Sequence, residues 1–163
     1  MDVSTYSLKD LLLAALKSEV ESERVYQTLA ERVENAFLVD RLTFLAGEEV
    51  KHNQFIEGLF RKDFPGTDIV LPERTDVPLP VMKIPDESIP LSTVFENAMD
   101  AEKASSEFYE ALADRVDDSP VQKTLLYFAA MEMNHYRILE SEHESMKRFE
   151  DFDVEWPMMN VGP

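Results

Sequence analysis

An internal repeat relates the two halves of the sequence. When residues 15–59 are aligned without gaps with residues 98–142, at an offset of 83, 13 of the 45 pairs are identical. Unrelated sequences of ordinary composition match at roughly one position in fifteen. The identities include glutamates and a histidine, which a shared apolar rhythm does not explain. The halves are therefore predicted to be copies of one unit, related by a pseudo-twofold axis.

Prolines separate the two units. Six of the nine prolines fall between Arg61 and Leu91, and the chain has only four glycines. Proline clashes inside a helix and lacks an N–H donor, so this stretch is predicted to be a loop or an extended crossover. The segments on either side are free to form helices.

Each half predicts a pair of helices. Ser7 is a candidate N-cap of the first, and Thr93 with Glu96 forms a capping-box pattern for the third. Ser119 followed by Pro120 is typical of a cap and a first helical residue. The predicted helices span about residues 7–35, 37–60, 93–116 and 119–148.

These four helices predict an all-α fold, an antiparallel four-helix bundle with a long crossover between helices 2 and 3 at about 61–91. The bundle is expected to occupy residues 1–150. Residues 151–163, with the only tryptophan, Trp156, are expected to form an irregular tail that is free to dock on a neighbour.

Every predicted helix has a glutamate in the middle of its apolar stripe. The stripe residues are spaced alternately by four and three, so they share one helix face. Helices 2 and 4 each carry Glu-x-x-His at this height. Four stripes that face one another bring the following residues into one interior layer: Glu19, Glu49, His52, Glu102, Glu132 and His135.

This layer requires compensating positive charge. An ionised carboxylate alone in an apolar interior costs several kcal/mol, or it takes up a proton instead. Two divalent cations would balance four glutamates, and the two imidazoles would complete oxygen and nitrogen coordination suited to iron or manganese. The sequence thus predicts a dinuclear metal site, with a metal-free network of buried acids and histidines as the alternative.

The pattern resembles the ferritin-like superfamily, and specifically its rubrerythrin-like branch. The likeness is carried by the E…Y…LA pattern from Glu19 to Ala30, its repeat from Glu102 to Ala113, and the segments FLAGEEVKHNQF and YFAAMEMNHYRI. It covers about residues 8–148 and implies a di-iron carboxylate protein. The chain lacks the rubredoxin domain that rubrerythrins commonly carry.

The resemblance implies a role for each matching residue. Glu49 and Glu132 would bridge the two metal ions, Glu19 and Glu102 would be terminal ligands, and each metal would take one histidine. Rubrerythrins usually have a further glutamate three residues before the third-helix ligand. Met99 occupies that position here, so the six-residue set is closer to the symmetric centre of bacterioferritin-like proteins.

Two tyrosines accompany the layer. Tyr26 and Tyr109 lie seven residues beyond the glutamates of helices 1 and 3, and their hydroxyls would bond a ligand carboxylate. Alternatively they are core aromatics whose hydroxyls lie near the surface. His143 also ends a Glu-x-x-His, but the repeat has no histidine at the equivalent position, and we predict a solvated side chain.

The implied activity is reduction of hydrogen peroxide or oxidation of Fe²⁺ at two iron ions, with manganese or a mixed pair as alternatives. O₂ or H₂O₂ would be the substrate, and no catalytic residue is expected beyond the metal site. A rubredoxin-like protein would serve as external electron donor, and a homodimer or higher oligomer is expected. Alternative functions are iron binding or storage, which needs a hollow multimeric shell, and a metal-free structural bundle.

Charge and cysteine content exclude other classes. With 33 acidic and 16 basic residues the formal charge is -17, which repels nucleic acids and anionic membranes. With no cysteine there is no disulfide, thiol nucleophile or rubredoxin-type iron site. The apolar run Leu11–Leu16 is too short to cross a bilayer, and Asp2 stands where a signal peptide would be positive. We therefore expect a cytoplasmic protein.

Overall fold

A computed structural model describes residues 1–79, 82–84, 86 and 88–155, the last seven of them by their backbone alone. These residues form four helices and no strand, which confirms the predicted all-α fold. The helices are α1 (Leu8–Arg32), α2 (Ala36–Asp63), α3 (Leu91–Ala113) and α4 (Ser119–Glu155).

The core consists of two apolar clusters, one at each end of the bundle. One contains the start of α1 and the end of α2 together with the end of α3 and the start of α4. The other contains the opposite ends of all four helices. The helices are therefore antiparallel within each hairpin, α1 with α2 and α3 with α4, while α2 and α3 run in the same direction. The glutamates and histidines of the repeat lie between the clusters.

The crossover connects the two ends. Between α2 and α3, Val77 and Leu79 are buried in the first cluster, and Met82 is buried in the second. This segment thus runs along the bundle, as it must when it joins two parallel helices.

Side-chain caps are present at the starts of α1 and α4, at the predicted residue in α1 and one residue earlier in α4. The Ser7 hydroxyl accepts a hydrogen bond from the Asp10 N–H at 3.1 Å, which confirms the predicted cap of α1. At α4 the cap lies one residue before the predicted Ser119, because the Asp118 carboxylate accepts from the Val121 N–H at 3.3 Å.

The capping box predicted for α3 is wrong. This helix begins at Leu91 after Pro90, which makes no side-chain cap, and so Thr93 lies inside the first turn. Glu96, the other half of the predicted box, instead reaches α4, where Lys147 Nζ lies 3.1 Å from its carboxylate.

The fourth helix is longer than predicted, since it continues to Glu155 rather than ending near Arg148. The first five residues of the predicted irregular tail are thus helical. Trp156, the residue proposed to dock, lies outside the described residues. None of the four described helices combines the length and hydrophobicity needed to cross a bilayer.

Candidate metal centre

The structure brings all six predicted residues together at mid-height of the bundle. Each is on the interior face of its helix because the alternating spacing of four and three keeps it in line with the buried leucines. Their exposed fractions lie between 0 and 3 %. The residues are Glu19 on α1, Glu49 and His52 on α2, Glu102 on α3, and Glu132 and His135 on α4.

Two of the carboxylates lie between the histidines. The oxygens of Glu49 are 3.5 Å from His52 Nδ1 and 3.4 Å from His135 Nδ1. The oxygens of Glu132 are 3.0 Å and 3.1 Å from the same two atoms. Each carboxylate thus presents one oxygen to one histidine and its second oxygen to the other.

The other two glutamates each lie beside a single histidine. Glu19 is 3.8 Å from His52 Nδ1, and Glu102 is 3.6 Å from His135 Nδ1. The layer therefore divides into two groups of four ligand-type residues, each with its donor atoms within 4.8 Å of one another. Both groups contain Glu49 and Glu132, so two cations in these groups would share two carboxylates.

The tyrosines contact this layer from the opposite helix. The Tyr26 hydroxyl on α1 donates to Glu102 on α3, and the Tyr109 hydroxyl on α3 donates to Glu19 on α1. Both rings are fully buried, so the hydroxyls do not reach the surface. Each tyrosine therefore fixes the carboxylate of the other half rather than that of its own helix.

Burial and close contact shift the pKa values in the layer. Burial, together with the neighbouring charges of Glu49 and Glu132, raises the pKa of Glu19 and of Glu102 well above the usual range. Burial also opposes ionisation of Glu49 and Glu132, but their close contacts with the two histidines outweigh it and lower the pKa of both carboxyls.

The pKa values of the two histidines are raised, whereas burial alone lowers the pKa of an imidazole. Burial disfavours the charge of His52, yet the close carboxylates of Glu132, Glu19 and Glu49 outweigh it and raise its pKa to about 12. Carboxylates acting in the same way raise the pKa of His135. The layer is therefore one coupled network in which protons and cations compete for the same oxygens and nitrogens.

The residues present fit a pair of divalent cations. Among the buried side-chain atoms of the described chain, five have no hydrogen-bond partner, and four of these belong to the layer: Glu49 Oε1, His52 Nδ1, Glu132 Oε1 and His135 Nε2. Unpartnered buried polar atoms are costly, and here they belong to residues of two helices that can each offer a donor atom to the same two groups. Carboxylate and imidazole donors without sulfur suit iron, manganese or zinc.

His143 is not solvated, and its prediction is wrong. The ring is only 7 % exposed, and its Nε2 lies 3.2 Å from the Glu96 carboxylate of α3. The contact arises because α4 continues beside the first turns of α3, where Glu96 also meets Lys147. His143 is absent from both groups of potential ligands. Met99 packs at the edge of the second apolar cluster.

A four-helix bundle with a carboxylate and histidine layer defines the ferritin-like class of proteins. Within that class the chain belongs to the rubrerythrin family, whose model matches residues 10–143. It contains no cysteine and hence no rubredoxin-type iron site. No curated protein matches the sequence.

Three solved structures share the fold. A hypothetical protein from Pyrococcus furiosus is 28 % identical over 91 % of this chain and 95 % of its own, with a TM-score of 0.84. A protein from Thermotoga maritima, described as a ferritin-like diiron-carboxylate protein, is 25 % identical over 85 % of this chain and 95 % of its own, with a TM-score of 0.67. KatB, a manganese catalase from Anabaena, has 17 % identity over 90 % of this chain and 76 % of its own, and a TM-score of 0.67. The last likeness shows the fold alone.

Proposed function

We propose that this protein reduces hydrogen peroxide at a pair of iron ions held by the six-residue layer. The observation that carries the proposal is the placement of Glu49 and Glu132, each of which presents one oxygen toward each histidine. Carboxylates placed in this way can bridge two cations. The rubrerythrin family and the likeness to a described diiron-carboxylate protein support iron as the metal.

The remaining ligands would complete two similar positions. Glu19 and His52 would serve one iron ion, and Glu102 and His135 the other. Two ferrous ions held there would supply two electrons, which together with two protons would convert one H₂O₂ to two waters.

The protein contributes positioning and exclusion of water. The hydroxyls of Tyr26 and Tyr109 hold the terminal carboxylates by hydrogen bonds, so that these ligands keep their orientation. The apolar clusters above and below the layer keep bulk water from it. A small peroxide can thus react where larger solutes cannot reach.

An external donor must return the two electrons. The chain has no cysteine with which to form an electron-transfer iron site of its own. We therefore propose a separate redox protein, such as a rubredoxin-like carrier, as partner. A cytoplasmic location and assembly into a homodimer or larger oligomer remain predictions from the sequence.

The test is the reaction of the anaerobically prepared diferrous protein with H₂O₂ and with O₂, followed by stopped-flow absorbance. We expect near two iron ions per chain and faster oxidation by H₂O₂. His135→Ala should lose metal and reactivity, whereas the matched variant His143→Ala should keep both. A protein that takes up no metal after Fe²⁺ loading would refute the dinuclear site. A diferrous form that ignores H₂O₂ but oxidises many Fe²⁺ per chain would indicate iron storage instead.

A further inference from the structure

A chain of aromatic rings leads from the surface of α4 to the metal layer. Tyr127 is 60 % exposed, and its ring centroid lies 6.4 Å from that of the buried Phe128. Phe128 in turn lies 4.2 Å from His52, the closest ring pair in the described part of the chain. Two side chains thus connect solvent with a proposed iron ligand.

The route exists in only one half of the repeat. The residues equivalent to Tyr127 and Phe128 in the first half are Phe44 and Leu45. Phe44 is also exposed, at 45 %, but the buried residue next to it is aliphatic. No ring pair among the described residues links Phe44 to His135. Packing of the core would accept leucine at position 128 as it does at Leu45. The ring of Phe128 is therefore a difference between the two halves that core packing does not require.

The stretch of α4 around Tyr127 differs in charge from the chain as a whole. Between Pro120 and Arg137 the only acidic residue of α4 is Glu132, which is buried in the layer. The side chains exposed on this stretch lie on one side of the helix and constitute what we call the α4 face: Lys123, Leu126, Tyr127, Ala130, Asn134 and Arg137. In a chain of net charge -17, this face has two positive charges and no negative one.

We infer that the α4 face binds an acidic one-electron carrier protein and that its electrons tunnel to the His52 side of the centre through the packed rings of Tyr127 and Phe128. The inference rests on the proposed function. Lys123 and Arg137 attract an acidic partner to a protein that otherwise repels it, and the exposed Leu126 and Tyr127 give the contact an apolar centre.

Reduction of the diferric centre requires two electrons. Two carrier molecules bind in succession, each loses one electron, and each of the two ferric ions gains one. No bond forms or breaks. Electron transfer slows steeply with the distance between the redox groups, so a face directly connected to an iron ligand by packed rings is the favourable place for the carrier.

The experiment uses reduced rubredoxin as the acidic carrier and the iron-loaded protein. Binding is measured by calorimetry at low and high salt, and reduction of the ferric form by stopped-flow absorbance at saturating carrier. Lys123→Glu with Arg137→Glu should weaken binding at low salt by about tenfold or more and reverse its salt dependence, because salt then screens repulsion instead of attraction. Phe128→Leu, which installs the residue of the first half and removes the ring contact with His52, should bind the carrier like wild type but be reduced several-fold more slowly.

The matched control is Phe44→Ala, which removes the equivalent exposed ring from the first half and should change neither binding nor reduction. Iron content verifies that each variant keeps its centre, and dithionite, which needs no docking, should reduce all of them alike. Slow reduction of Phe128→Leu by dithionite as well would indicate a disturbed centre and refute the conducting role.

Other outcomes would overturn the inference on different grounds. Unchanged carrier binding after charge reversal would show that the α4 face is not the docking site. If Tyr127→Ala dissociates a dimer in sedimentation and leaves carrier binding intact, the face is occupied by a second copy of this chain. Wild-type diferrous protein that does not react with H₂O₂ would refute the proposed function, and calorimetry would still report on the docking.

Discussion

Tyr26 of α1 donates its hydroxyl hydrogen bond to Glu102 of α3, across the centre of the bundle. The repeat produces the reciprocal contact from Tyr109 to Glu19. Because α1 and α3 belong to different hairpins, these two bonds connect the halves of the protein at the level of the proposed metals. They couple assembly of the bundle to the orientation of two ligands.

Removing one hydroxyl should therefore weaken metal binding. Tyr26→Phe leaves Glu102 without its donor, and such supporting contacts are typically worth about 10–100-fold in metal affinity. Tyr109→Phe should have a similar effect, because its environment is equivalent. The measurement is anaerobic Fe²⁺ titration. Tyr136→Phe is the control, since the Tyr136 hydroxyl contacts Glu140 outside the layer. The Fe²⁺ affinity of this variant should equal that of wild type. Unaltered binding in Tyr26→Phe would show that the hydroxyl has only a packing role.

Shared and terminal carboxylates should be distinguishable by metal content. Glu49→Gln replaces one of the two oxygens with an amide nitrogen and removes the negative charge that both positions share, so we expect it to lower occupancy of both. Glu19→Gln affects one position and should leave close to one tightly bound metal. Glu48→Gln is the control because Glu48 pairs with the exposed Lys51 and belongs to neither group of potential ligands. Equal metal loss in Glu49→Gln and Glu19→Gln, measured by elemental analysis, would contradict the bridging role of Glu49.

The residues of the layer could be predicted from sequence because a helix has a fixed period. In each of the helices α1 to α4 the central glutamate lies on the same face as the leucines. Burial of those leucines between the helices therefore turns the four glutamates toward one another. The repeat supplied a second copy of each layer residue and of the tyrosine. The structure accordingly brings together all six residues that the pattern selects.

Contacts that depend on how helices lie beside each other could not be predicted in this way. Glu96 fitted a capping box by spacing, but it faces His143 and Lys147 of the neighbouring helix. The burial of His143 has the same origin. Likewise, the sequence places Tyr26 two turns beyond Glu19 on α1. Only the arrangement of α1 relative to α3 shows that the Tyr26 hydroxyl donates to Glu102.

Metal binding should release protons. The raised pKa of His52, about 12, and that of His135 keep both imidazoles protonated at neutral pH when no cation competes, and the raised pKa of Glu19 and Glu102 favours the protonated form of these carboxyls. Metal ligands must be deprotonated, so two cations displace up to four protons. Metal affinity should therefore rise as pH increases. Calorimetry in buffers of different ionisation enthalpy measures the number released. Glu19→Gln should release fewer protons, and a release near zero in wild type would contradict the assignment.

Metal removal should destabilise the fold. A cation that binds only the folded chain adds about 2.7 kcal/mol at a free concentration of about 100 times its Kd. For a domain of this size each kcal/mol shifts the unfolding temperature by about 2–4 °C. Thermal unfolding of anaerobic protein with Fe²⁺ and with a chelator should therefore differ by at least several degrees.

The variant Glu49→Gln separates specific stabilisation from general screening of the acidic surface. Fe²⁺ at the same concentration neutralises surface carboxylates equally in both proteins, so only wild type should gain the full increase in unfolding temperature. Mg²⁺, which prefers octahedral oxygen ligands and retains its waters, should stabilise neither protein strongly. If Fe²⁺ raises the unfolding temperature of Glu49→Gln as much as that of wild type, the stabilising ions are bound at the surface and not in the layer.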